Sequence, residues 1–148
     1  MFVPDGFEPP RALETPDFRL EPLTLEHNER DYTAWSSSIA HIRASPGYGP
    51  EARWPRAMTL DENRADLERH ARDFADRTGF TYTVLDSADD VIGCVYVYPA
   101  HDEPYDAHVH SWVRESRAEL DPVLRGVVGD WLTSSWPFER PLYEPVLD

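Results

Sequence analysis

In the stretch "AHVHSWVR", residues 107–114, His108, His110 and Trp112 alternate with Val109, Ser111 and Val113. A strand would turn the first three to one face and the other three to the opposite face. Imidazole titrates near neutral pH, so a histidine pair on one face can take a proton from an ammonium group and ready the amine for attack. The same H-x-H spacing aims two rings at a metal, with His101, Asp102 and Glu103 nearby in the chain. No third ligand stands at a characteristic spacing, so proton transfer at His108 or His110 with no metal is the expectation. The competing reading is a pair of partly buried sheet residues without a chemical role.

Tyr96 and Tyr98 share a strand face with Cys94. Two phenol rings there would either line an amine pocket by cation–π contact or pack the hairpin. Cys94 has no base close by in sequence and reads as a small buried hydrophobe. Gly126 and Gly129 sit inside a strongly periodic helix, where each costs about 1 kcal/mol relative to alanine, so close approach of that helix to the sheet is expected.

The elements that must position these residues follow from periodicity. "DFRLEPLTL" (17–25) reads as a first strand, with Phe18 and Leu20 opposite Arg19 and Glu21. Tyr32, Trp35, Ile39 and Ile42 recur at spacings of three and four, which predicts one helix ending before the loop "SPGYGP". Thr59 and Glu62 form a capping box for a helix in which Leu60, Leu67, Ala71 and Phe74 align, Glu68 faces Arg72, and "TG" at 78–79 marks the end. "FTYTVLD" and "VIGCVYVYP", separated by "SADD", predict a hairpin, and "AHVHSWVR" adds a third strand. Leu120, Val123, Leu124, Val127, Val128, Trp131 and Leu132 predict the last helix, with Asp121 as N-cap and Pro122 in the first turn. A short final strand follows.

The 148 residues carry 28 acids against 14 bases, a formal charge of −14, and every base is arginine. Such a surface repels nucleic acid and anionic membranes and admits an amine substrate. One cysteine excludes an internal disulfide, and no run reaches signal or spanning length, so a cytoplasmic protein is expected.

The order strand, helix, helix, three strands, helix, strand, over about residues 17–143, resembles the GNAT superfamily of acyl-CoA-dependent N-acetyltransferases. "FRLEPLTLE" is similar to that family's opening strand, "YTVLDSADDVIGCVYVYP" to its central hairpin, and "AHVHSWVRESRAELDPVLRGVVGDWL" to its cofactor strand and helix. The resemblance implies an α+β fold: a mostly antiparallel twisted sheet with helices on its faces, C-terminally shortened, forming one domain (17–148) after a proline-rich extended arm (1–16). It implies acetyl-CoA as donor, a small amine as acceptor, and Trp112, Val113, Arg114, Ser116 and Arg117 as cofactor contacts at the strand end and loop.

One motif departs from the family. Its Q/R-x-x-G-x-G/A loop holds the pyrophosphate on backbone N–H groups, yet counting from Arg114 puts Arg117 and Glu119 at the glycine positions, and counting from Arg117 puts Leu120 and Pro122 there. Glu115, Glu119 and Asp121 surround the same spot. Two functions therefore stay open: an N-acyltransferase, or a GNAT-derived non-catalytic binding or interaction protein that has lost the loop. A shortened fold also leaves a sheet edge near Trp136, Phe138, Leu142 and Tyr143 for a homodimer, or for Phe2, Val3 and Phe7 of the arm, to cover.

Overall fold

In the computed structural model, which describes residues 1–143, the β-rich runs join one six-stranded sheet. Its strands lie in chain order: β1 (Leu13–Glu14), β2 (Arg19–Pro22), β3 (Phe80–Leu85), β4 (Val91–Tyr98), β5 (Ala107–Val113) and β6 (Pro141–Tyr143). All neighbours are antiparallel except β5 and β6, which run parallel. Four helices accompany the sheet: α1 (Asn28–Ser36), α2 (Ile39–Arg43), α3 (Leu60–Asp76) and α4 (Asp121–Ser135). This is the α+β architecture that the sequence implied. Among the described residues no helix is long and apolar enough to cross a membrane.

Local chemistry explains most boundaries. The β3–β4 turn is closed by Asp86, whose Oδ1 accepts from the amides of Ala88 (2.9 Å) and Asp90 (3.0 Å). The register then slips, Val84 pairing with Gly93 and Leu85 with Val91, so the strand bulges at Ile92. Glycine is required beside this bulge, because a Cβ on Gly93 would stand 2.4 Å from the Trp112 carbonyl. The capping box of α3 forms: Thr59 Oγ1 accepts from Glu62 N at 3.1 Å, and Glu62 Oε1 from Thr59 N at 2.9 Å. That helix ends at Arg77, in the left-handed region with φ 63°, not at the glycine. Gly79 is instead the space into which the Tyr98 ring fits. Glu68 pairs backward with Arg64 and not with Arg72, and Leu60 is exposed, so the inner stripe of α3 starts at Asn63.

The single helix expected over residues 32–42 is two. Ser37 Oγ donates to the Thr33 carbonyl at 2.8 Å and Ser38 leaves helical geometry, a local competition with the helix ladder that serine is suited to win. Trp35 and Ile42 remain buried on either side of the break. The close approach expected at Gly126 and Gly129 is absent: a Cβ at either would meet nothing within 4 Å.

Two apolar clusters result. In one, Phe80, Tyr82, Val95, Val97, Val109 and Val113 pack with Leu124, Val128, Trp131 and Leu132 of α4. In the other, Trp35, Ile42, Tyr48, Leu67, Cys94 and Trp112 pack together. Each large side chain so enclosed contributes roughly 1.5–3 kcal/mol. The first sixteen residues run across the domain. Val3 is buried, Phe2 stacks on Phe80 and Phe138, Phe7 meets Trp136, and Tyr82 donates to the Pro10 carbonyl at 2.6 Å. The arm thus covers Trp136 and Phe138, while its β1 extends the opposite edge of the sheet, beside β2.

Candidate active site

Strand alternation places His108 and His110 on a cavity of about 640 Å³ bounded by α1, α3, the 44–59 loop and the ends of β4 and β5. Their ring centroids lie 4.0 Å apart. Cross-strand pairing sets His110 opposite Tyr96 and His108 opposite Tyr98, and Tyr48 from the loop approaches His110 at 6.0 Å between centroids. His108 Nε2 and His110 Nδ1 are fully enclosed by the protein.

Helix α3 supplies a second set of polar groups from its inner face. Tyr98 donates its one hydroxyl proton to Asp73 Oδ2 at 2.8 Å. That hydroxyl and Thr81 Oγ1 both lie 3.0 Å from His70 Nδ1. Burial pushes the His70 pKa down to about 4, helped by Arg69 and opposed by Asp73, so this ring is neutral at pH 7. Asn63 donates from Nδ2 to Asp31 Oδ2 (3.1 Å) and Asn28 Oδ1 (2.9 Å), and accepts from Trp35 Nε1 (3.0 Å). Burial raises the Asp31 carboxyl to about 6 against the lowering effect of that Asn63 bond. Trp112 Nε1 donates to the Tyr96 hydroxyl at 2.9 Å, and burial holds the Tyr96 pKa far above its usual value, so Tyr96 keeps its proton. Cys94 is enclosed and burial drives its pKa up as well, which leaves an inert thiol.

None of the residues expected at a cofactor lines this cavity. Trp112 and Val113 are core residues, at 0% and 2% exposure. Arg114 donates from Nη1 to the Val91 carbonyl at 3.1 Å, and Arg117 Nη1 pairs with Asp86 Oδ2 at 3.0 Å. Ser116 is exposed on a 3₁₀ segment, Glu115–Leu120, that runs directly into α4. For that reason Asp121 is no N-cap: Leu120 occupies that position in helical geometry, and Asp121 Oδ2 instead accepts from Arg125 Nε at 3.0 Å. Three backbone N–H groups of the junction are also engaged. Glu115 N–H goes to Ser38 Oγ at 2.9 Å, Arg117 N–H to the Arg114 carbonyl at 3.0 Å, and Asp121 N–H to the Ala118 carbonyl. The junction as folded does not fit the pyrophosphate of coenzyme A.

Sequence reasoning brought His108 and His110 to the site and missed Asp31, Asn63 and His70. A signal was present: Asn63, Leu67, His70 and Phe74 recur at spacings of four and three, so two polar residues stand on the stripe that packs inward.

No protein-family model matches the chain, and no curated protein does. Solved structures do. The ribosomal-protein-S5-alanine acetyltransferase from Vibrio fischeri superposes with a TM-score of 0.63 at 15% identity, over 82% of this chain and 66% of that one. RimL, a ribosomal L7/L12 α-N-protein acetyltransferase solved with coenzyme A, gives 0.62 at 11% identity, over 81% and 67%. The microcin C7 self-immunity acetyltransferase MccE, solved with acetyl-CoA and AMP, gives 0.66 at 12%, over 84% and 66%. The chain spans about two thirds of the length of these structures. Chain-ordered strands, a parallel β5–β6 pair and these superpositions together identify a protein of the GNAT acetyltransferase fold.

Proposed function

We propose that this chain is an N-acyltransferase acting on an amine held in the cavity, with acetyl-CoA as donor and His108 or His110 as the base. The observation that carries the proposal is the histidine pair itself: two rings 4.0 Å apart, opposite two tyrosines, on the wall of a cavity large enough for a small acceptor. An amine is nucleophilic only after losing a proton, and a positioned imidazole speeds such a step by about 10²–10⁴-fold. His70, held neutral by burial, is a further candidate to receive that proton.

The misfit at the 3₁₀ junction is confined to the nucleotide end of the donor, so that end should add little affinity. Acetyl-CoA and S-acetylpantetheine, which has the same thioester arm without the nucleotide, should then support acetylation of an amine panel with kcat/KM within about threefold of each other. The His108→Gln,His110→Gln variant should lose about 10²–10⁴ in kcat. Absence of transfer from either thioester would remove the enzymatic reading. A second reading, a binding protein that uses the same cavity without group transfer, is favoured by the engaged N–H groups of Glu115, Arg117 and Asp121. It predicts no calorimetric signal with acetyl-CoA.

A further inference from the structure

The cavity inverts the charge of the chain. Acids outnumber arginines 28 to 14 overall, yet three arginines (Arg53, Arg56 and Arg69) and only two acids (Asp31 and Asp66) line the cavity. Four of the six histidines line it too. Neither acid is placed to recognise a cation freely: Asp31 is buried and bonded to Asn63, and Asp66 pairs with Arg69 at 3.3 Å. Arg53, exposed on the 44–59 loop, has no ion pair among the described residues. Arg56 has Glu62 at 4.0 Å, with both side chains at least half exposed, and donates from Nη1 to the neighbouring Ala57 carbonyl at 3.2 Å, contacts that hold the guanidinium weakly. An arginine fork on a cavity wall binds carboxylate or phosphate in a bidentate manner and gains from the partial exclusion of water there.

We propose that the acceptor amine also carries an anionic group, a carboxylate or a phosphate, held by Arg53 and Arg56 while the amine reaches the histidine wall. The inference deepens the reading of the cavity as an acceptor site and rests on it. The ring walls of Tyr48, Trp54 and Tyr96 suit an apolar or aromatic body between the two ends. An α-amino acid has this pattern; a plain alkylamine does not.

Calorimetry at pH 7 on the whole chain, without thioester, tests the proposal. L-Phenylalanine is titrated beside phenylalaninamide, which keeps the amine and loses the anion, and phosphoethanolamine beside ethanolamine. At least one anionic probe should bind tenfold or more tighter than its partner, and which pair shows the preference separates carboxylate from phosphate. Arg53→Gln,Arg56→Gln, checked for folding by thermal melting, should cut that preference below about threefold. Equal or tighter binding of both uncharged-end probes, an absence of binding by both anionic probes, or a preference untouched in the double variant would each overturn it. Failure of the acyltransferase reading looks different: an anionic amine that binds as described but is never acetylated leaves the cavity's specificity intact and removes the transfer step.

Discussion

Asp31 and His70 line the same cavity and titrate in opposite senses. Folded Asp31 keeps its proton to about pH 6, whereas an unfolded aspartate loses it near 3.9, so between these values the native state binds more protons and stability falls as pH rises. The full effect is about 3 kcal/mol. Folded His70 takes a proton only at about pH 4, against about 6.5 unfolded, so over that window the unfolded state binds more protons and stability rises with pH. The two slopes oppose each other in the wild type. Urea unfolding at stepped pH should show stability relative to wild type climbing from pH 4 to 6 in Asp31→Asn, and dropping from pH 4 to 6.5 in His70→Asn. Flat difference curves would mean that neither group is buried as described. These residues also mark the limit of legibility at this scale. His108 and His110 were readable because two-residue alternation fixes a face by itself, whereas Asp31 and Asn63 meet only once α1 and α3 pack, 32 positions apart in the chain.

Elements were legible where their signals are local. The capping box of α3, the turn at 87–90 and the apolar stripe of α4 each lie within a few residues and were read directly, whereas the part of Asp86 in closing that turn was not. The α1–α2 break was not, because serine competes with the helix ladder only weakly and its outcome depends on surroundings. One consequence of that break spans the molecule: Ser38, released from the ladder, binds Glu115 N–H and ties the cavity side to the start of the 3₁₀ junction. Glycines give the sharpest element-scale predictions. Gly126→Ala and Gly129→Ala fill open space within a helix and should each raise stability by about 0.5–1 kcal/mol, read as a higher urea midpoint at constant m-value. Gly93→Ala meets a backbone carbonyl and should cost about 1–3 kcal/mol or more. Equal effects at the three sites would contradict the packing described.

At the scale of the whole molecule, a charge of −14 permitted an amine substrate, and the cavity's own charges point to an added anionic end. Net charge governs long-range association, while a site is set by the few groups around it. The arm is the other whole-molecule feature. Removing residues 1–16 strips β1 from the sheet and Val3, Phe2 and Phe7 from the core, so the truncated chain should melt well below the full chain and show altered tryptophan fluorescence from Trp136. Light scattering on both forms should show self-association appearing or strengthening on truncation, as uncovered Phe80 and Phe138 seek partners. An unchanged melting point and mass would mean that the arm protects nothing.

The arm's contacts also bear on how the chain folds. Phe2 and Phe7 pack on Phe138 and Trp136, so residues far apart in sequence must meet before this layer is complete. Until α4 packs, the face bearing Phe80 and Tyr82 has only the arm over it, and a chain folded no further than β5 would display a half-finished, adhesive sheet. Contacts of such sequence separation also slow the search for the native state. Refolding from urea should therefore be slower than the small size of the domain alone would suggest.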